Sequence, residues 1–329
     1  MLLTSPDALY QSAFSNQIAN LRTRLDEVAT ELATGRRQDV NAAVRGDNNI
    51  LLRAEAAIEA FEPERARLNV LEGRFRTAGL TLRTVNDLAG STLVSAQAAG
   101  DLAAGVDADG FAATEARTSL ATMFSTLEAR FGGRALFGGD LGAGQVMADV
   151  SVFLAEVDAA IGTLTDAASV EAAIDSVFAP GGGFEINVYL GGQPLGAQLS
   201  DGQQLAPIIT ADSGPMRQVF KGLAMQAFNE RVQEDQRSSF LLRSAEVTQT
   251  ARDALTAEEA SIGLARNAID REMVRQEALL FDANETVETI LGRDPFEAAS
   301  ETQALEARLQ AAYTITGRLA GLRLTNFLR

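Results

Sequence analysis

Residues 6–37 read PDALYQSAFSNQIANLRTRLDEVATELATGRR, and the spacing of apolar side chains in that stretch decides the fold. Phe14, Ile18, Leu21, Leu25, Val28 and Leu32 are separated alternately by four and three residues. That alternation keeps all six on one narrow helical stripe, the seam of a coiled coil. Ser5 is a fitting N-cap, with Pro6 as the first helical residue, where the missing N–H costs nothing. Gly35 can take the left-handed conformation that stops a helix, and Arg36 and Arg37 complement its negative end. The spacing predicts a helix from about 6 to 34.

The same pattern recurs downstream. After a loop from Gly35 to about Asp47, Leu51, Ala54, Ile58, Phe61 and Leu68 lead into Leu71, Phe75, Ala78, Leu82, Val85, Ala89, Thr92 and Ala96. Pro63 lies inside this run and is expected to kink or interrupt the helix near Glu62. A third helix, about 111 to 131, carries Leu120, Met123, Leu127 and Phe131 on one side. From about Arg237 to Leu291 the heptads return, with Ile262, Ile269, Gln276, Ala283 and Ile290 seven apart and Met273, Leu280 and Val287 between them. Gly292-Arg293-Asp294-Pro295 ends that helix. Ser300 with Gln303 reads as a capping box for a last helix, with Leu305, Leu309, Ala312, Thr316, Leu319 and Leu322 on its stripe.

The middle reads differently. Glycines punctuate it at 132–133, 138–139 and 181–183, the last read as a flexible connector. Two short helices are expected around Val150–Leu164 and Ser169–Val177, and another from Ser213-Gly214-Pro215 onward. Phe184 to Leu190 alternates with period two and reads as a strand, with weaker strands at 195–199 and 208–210. The expected fold is therefore mainly α: a long antiparallel coiled-coil-like bundle of N- and C-terminal segments with a small α/β insertion. The expected divisions are 1–35 plus 300–329 (terminal helices), 36–137 plus 238–299 (helical rod) and 138–237 (insertion).

Composition narrows the function. The chain has 329 residues, 46% hydrophobic but only 6% aromatic and without Trp, so its core must be aliphatic and small. The net charge of -16 disfavours nucleic acid and anionic membrane surfaces, which would repel it. Cys and His are both absent, which excludes disulfides, thiolate nucleophiles, imidazole bases and the common zinc sites. No stretch approaches the ~18 apolar residues of a membrane span, and no Sec-type signal is visible.

Motifs that would carry chemistry are incomplete. The glycines at 181–183 precede no Gly-Lys-Ser/Thr. Asp107-Ala108-Asp109-Gly110 has part of a calcium loop, but Gly105 and Ala116 stand where ligands belong. Asn284-Glu285-Thr286 matches a glycosylation sequon inside a predicted helix. The acidic residues are spread over solvated helix backs. No catalytic, cofactor or metal-ligating set emerges, and the expectation is a structural protein rather than an enzyme.

Three local strings carry a resemblance. Glu31-Leu32-Ala33-Thr34-Gly35-Arg36-Arg37 follows the first helix, and Arg130-Phe131-Gly132-Gly133-Arg134-Ala135-Leu136-Phe137-Gly138-Gly139 leaves the helical region. The ending runs from Asp294-Pro295-Phe296-Glu297-Ala298-Ala299 through Leu305-Glu306-Ala307 to Leu322-Arg323-Leu324-Thr325-Asn326-Phe327-Leu328. Together they resemble the family of flagellins and hook-associated junction proteins over about residues 1–140 and 240–329, the ending being nearer the junction proteins. The resemblance implies a structural subunit of the bacterial flagellum at the hook–filament junction, exported by the type III apparatus without a cleaved signal after a transient cytoplasmic stay. It implies as partners other copies of the chain, the other junction protein, flagellin and an export chaperone, with no cofactor and no membrane insertion. The assembly seam would be Phe14, Ile18, Leu21, Leu25, Val28 and Leu32. The C-terminal seam, also a handle for the chaperone, would be Leu305, Leu309, Ala312, Leu319, Leu322, Leu324, Phe327 and Leu328. A filament flagellin remains the alternative, and a cytoplasmic coiled-coil adaptor with a ligand-binding insertion the second.

Overall fold

The computed structural model describes the backbone of residues 6–44, 48–101 and 108–327, and side chains within 13–44, 48–101 and 109–318. Its helices are α1 (Pro6–Thr34), α2 (Val40–Val44), α3 (Asn49–Asp101), α4 (Ala108–Leu127), α5 (Val150–Ile161), α6 (Ala167–Val177), α7 (Gly214–Ala227), α8 (Glu234–Leu291) and α9 (Pro295–Phe327). Two ribbons of two short strands complete it: β1 (Arg130–Phe131) with β2 (Arg134–Ala135), and β3 (Ala197–Gln198) with β4 (Gln204–Leu205), both antiparallel. The fold is mainly α. The chain divides into two compact units, Met1–Glu62 with Gln276–Arg329, and Pro63–Arg275.

In the larger unit α3, α4 and the first part of α8 share one core. Of the predicted stripe, Leu71 is half-buried and Phe75, Ala78, Leu82, Val85, Ala89, Thr92 and Ala96 are buried. Small residues set the spacing: Ala99 of α3 meets Ala112 of α4 and Leu241 of α8 in one cluster. Pro63 does not interrupt α3, which runs through it unbroken. Proline removes one intrahelical hydrogen bond, and propagation on both sides carries the helix across the gap. Pro63 does coincide with the start of the larger unit.

α4 stops at Leu127, short of the expected 131, because the next residues form a hairpin. Arg130 pairs with Ala135 and Phe131 with Arg134. Gly132 and Gly133 supply the two positive φ angles, 59° and 81°, that a two-residue hairpin turn needs. Glu128 stabilises the chain that returns beneath the hairpin, its Oε1 accepting from Val146 N at 2.7 Å and Met147 N at 2.9 Å.

The insertion gathers the scarce aromatics into one cluster. Phe124, Phe153, Phe178, Phe184 and Phe220 make ring contacts with centroids between 5.1 and 6.1 Å apart. This decides the conformation of 184–190, where a strand was expected. Phe184 and Val188 are buried while Ile186 is 66% exposed, a spacing that only a helical turn satisfies. The segment is one wide helical turn, closed by Tyr189 N–H donating to Phe184 O at 2.8 Å. Burying Phe184 against the rings of Phe153, Phe178 and Phe220 outweighs the local alternation. Of the weaker strands, only Ala197–Gln198 forms, paired with 204–205, while 208–210 is not a strand. The glycines at 181–183 form a packed turn rather than a loose connector. A Cβ on Gly182 would stand 2.4 Å from Val177 O, and one on Gly183 2.3 Å from Glu156 Oε2. Asp149 and Asp166 cap α5 and α6 through the N–H groups of Ser151 and Ser169.

Lys221, the single lysine of the sequence, is on α7 and only 8% exposed. Its Nζ lies 3.1 Å from Glu171 Oε1 and 2.7 Å from Asp175 Oδ1 on α6.

Candidate functional site

The smaller unit brings the two ends of the chain together. Helix α1 ends at Gly35, whose φ of 69° lets its N–H return to Glu31 O at 2.8 Å. The chain then runs beside the α8–α9 link. Arg37 N–H donates to Leu291 O at 2.7 Å, Arg293 N–H to Gly35 O at 2.9 Å, and Arg36 bridges Gly292 in antiparallel sense. Gly292 cannot be replaced freely, since a Cβ there would stand 2.2 Å from Glu288 O. α9 starts at Pro295, earlier than the capping box at Ser300 suggests. Asp294 is the cap, its Oδ1 accepting from Phe296 N at 2.8 Å and Glu297 N at 3.2 Å. With Pro at the first helical position this cap outcompetes Ser300, which lies inside the helix.

From that crossing α1 and α9 pair antiparallel. Val28 and Ala298 are fully buried together, and Leu305 packs with Leu21 and Leu25 farther along. Leu32 does not join them, being 38% exposed. Glu31 is buried in its place, because the pair of helices needs a partner there for Arg293. Arg293 Nε lies 3.4 Å from Glu31 Oε2, with side chains only 8% and 6% exposed. Arg293 Nη1 is 3.1 Å from Glu297 Oε2, Nη2 binds Glu301, and Glu301 Oε1 accepts from Arg24 Nη2 at 3.0 Å. Glu31 Oε1 also accepts from Gln38 N at 3.0 Å. The network links both loops and both helices. The heptad pattern does not reveal it; the signal available in the sequence was an arginine between two helices whose own carboxylates lie four and eight residues later.

Beyond Leu21 the pair opens. Phe14, Ile18, Leu309 and Ala312 are half-buried, and Phe14, Ile18, Leu21, Ala312 and Ile315 line a cavity of about 460 Å³. Arg22 Cζ sits 5.4 Å from the centre of the Tyr313 ring across the same helix pair. The structure thus places Phe14, Ile18, Leu21, Leu25 and Val28 opposite Leu305, Leu309 and Ala312. The side chains of Leu319, Leu322, Leu324 and Phe327 and all of Leu328 lie outside the described residues. Among the described residues there is no group of three acidic side chains placed to hold a metal ion, and no helix long and apolar enough to cross a membrane.

No family model and no curated protein matches the sequence. Solved structures do match. A Vibrio parahaemolyticus chain described as a "putative flagellar hook-associated protein" aligns with a TM-score of 0.52 at 12% identity, over 72% of this chain and 94% of that one. Bacillus cereus FlgL aligns over 75% of this chain and 97% of its own, at 14% identity and a TM-score of 0.37. In its fold the chain is similar to the Vibrio parahaemolyticus protein.

Proposed function

We propose that the chain is a structural subunit of the bacterial flagellum that joins hook to filament by helix–helix polymerisation. The observation that carries this reading is the α1–α9 pair, whose apolar stripe is covered near Val28 and only half covered from Leu21 to Phe14. A lone pair of long helices buries little, and half-covered seams gain their remaining burial from neighbouring copies. The fold likeness and the three sequence strings support the same assignment. In this reading residues 1–35 with 300–329 line the inner tube, 36–137 with 238–299 form the surrounding rod, and 138–237 face outward. The subunit leaves the cytoplasm through the type III apparatus with a chaperone on its C-terminal seam. Outside the cell it contacts the other junction protein and flagellin. It performs no catalytic step.

The test is a peptide tag between Leu195 and Gly196, both exposed, with a Cβ on Gly196 meeting nothing within 4 Å. Immunogold microscopy of isolated flagella should show one band where hook meets filament. Label along the filament would make the chain a flagellin. Tagged protein retained inside the cell would indicate the adaptor and end the flagellar reading.

A further inference from the structure

The β1–β2 hairpin lies close against α3 at Gly73, where a Cβ would stand 2.4 Å from Phe131 Cζ. Arg134 is directly opposite Phe131 in the ribbon. Opposite residues of an antiparallel pair leave on the same face, so Arg134 also faces α3, where the residue after Gly73 is Arg74. Arg134 therefore shares with Phe131 the ribbon face that meets α3 next to Arg74. Burial, and then the charge on Arg134, hold the Arg74 pKa below its ordinary value.

No carboxylate answers them among the described residues. Arg134 Nη2 donates to the backbone oxygen of Asp140 at 3.1 Å, and the Oδ1 of Asp140 accepts from Gln193 N at 2.9 Å. Glu72 is taken by Arg266 at 3.1 Å and Arg76 at 3.7 Å. Glu128 is taken by the backbone N–H groups of Val146 and Met147. The residues a turn away from Arg74 on α3 are Val70, Leu71, Thr77 and Ala78, none of them acidic. Val70 is 57% exposed, so an apolar surface adjoins the pair. A half-buried cation beside a like charge destabilises a folded monomer. Such an arrangement is suited to receiving an anion, and arginine beside apolar surface is the usual composition of an interface hot spot.

We propose that Arg74 and Arg134 form a docking point for a carboxylate on a second copy of this chain. With 44 acidic residues against 28 basic ones, every copy carries a surplus of carboxylates to supply it. The proposal rests on the reading that the chain assembles with itself.

The test compares the full chain with Arg74→Leu, measuring thermal unfolding and self-association by sedimentation over a range of concentrations. The variant should unfold at the same or a higher temperature while associating about tenfold more weakly or worse. A lower unfolding temperature would make Arg74 a structural residue, and unchanged association, or a native chain that stays monomeric, would likewise overturn the docking point. Sulfate against chloride at equal ionic strength separates the sources. If sulfate raises the unfolding temperature of the native chain alone, the site takes a free inorganic anion and the second-copy reading fails. If association depends on Arg74 but the tag is absent from flagella, only the flagellar assignment fails. If the tag is on flagella and Arg74→Leu associates normally, only the docking point fails.

Discussion

Arg293 is the side chain on which the crossing of the two chain ends depends. Its guanidinium is nearly buried and reaches Glu31, Glu297 and Glu301, so removing it leaves Glu31 buried without a counter-charge. Breaking a buried pair from one side costs about 3–5 kcal/mol, far more than removing both partners together. Arg293→Met should therefore abolish much of the amide-exchange protection of residues 24–34, and adding Glu31→Met should restore most of it. Equal loss in the single and double variants would show that packing at Val28 and Ala298, not the charge pair, holds the crossing. Tyr189 illustrates the same dependence on surroundings, its phenol pushed up to about 12, mainly by burial.

At the scale of elements, the α1–α9 pair depends on a short seam. Leu21→Asp with Leu25→Asp places two carboxylates against Leu305 and forfeits apolar burial of about 2 kcal/mol at each site. Hydrogen exchange should show α1 and α9 unprotected while α7, with its buried Val219, Phe220 and Leu223, keeps its protection. Incorporation of this variant into flagella at the native level would refute the seam. The stripes of α3 and α8 are legible in the sequence because period and burial agree: Phe75 through Ala96 and Ile262 through Val287 follow the heptads. Hydrophobic spacing gives no weight to a buried ion pair, so it does not show that Glu31, rather than Leu32, is the buried residue at this turn of α1. The strand expected over Phe184–Leu190 does not form for a related reason, since alternation over seven residues is a local signal and the aromatic cluster that overrides it is assembled from α4, α5 and α7. Ser300 reads as a cap because its Ser–Gln spacing is conspicuous, whereas Asp294 caps α9 next to a proline that the sequence pattern assigns to the end of the preceding helix.

Across the whole molecule, the two ends and the middle are held by different means. Among the described residues, the unit of Met1–Glu62 with Gln276–Arg329 is held by two small apolar clusters, one at Val28, Ala298 and Leu305 and one at Leu51, Ala54, Ala283, Val287 and Leu291, together with the Arg293 ion network, whereas Pro63–Arg275 has a continuous core from Leu68 to Ile269. Charge is distributed unevenly by chemistry as well as by sign. Every basic side chain except one is a guanidinium, and the exception is Lys221, enclosed by Glu171 and Asp175. A folded subunit therefore offers no side-chain amine to acylating reagents. A succinimidyl ester should leave peptides covering 214–227 unmodified in native protein and add one label to Lys221 after denaturation, as mass spectrometry would show. Rapid labelling without denaturant would mean that α7 opens on its own. The corollary is practical: amine-directed crosslinkers and dyes will not report on the neighbours of Lys221 in native protein, so mapping of contacts there must use carboxylate- or guanidinium-directed chemistry.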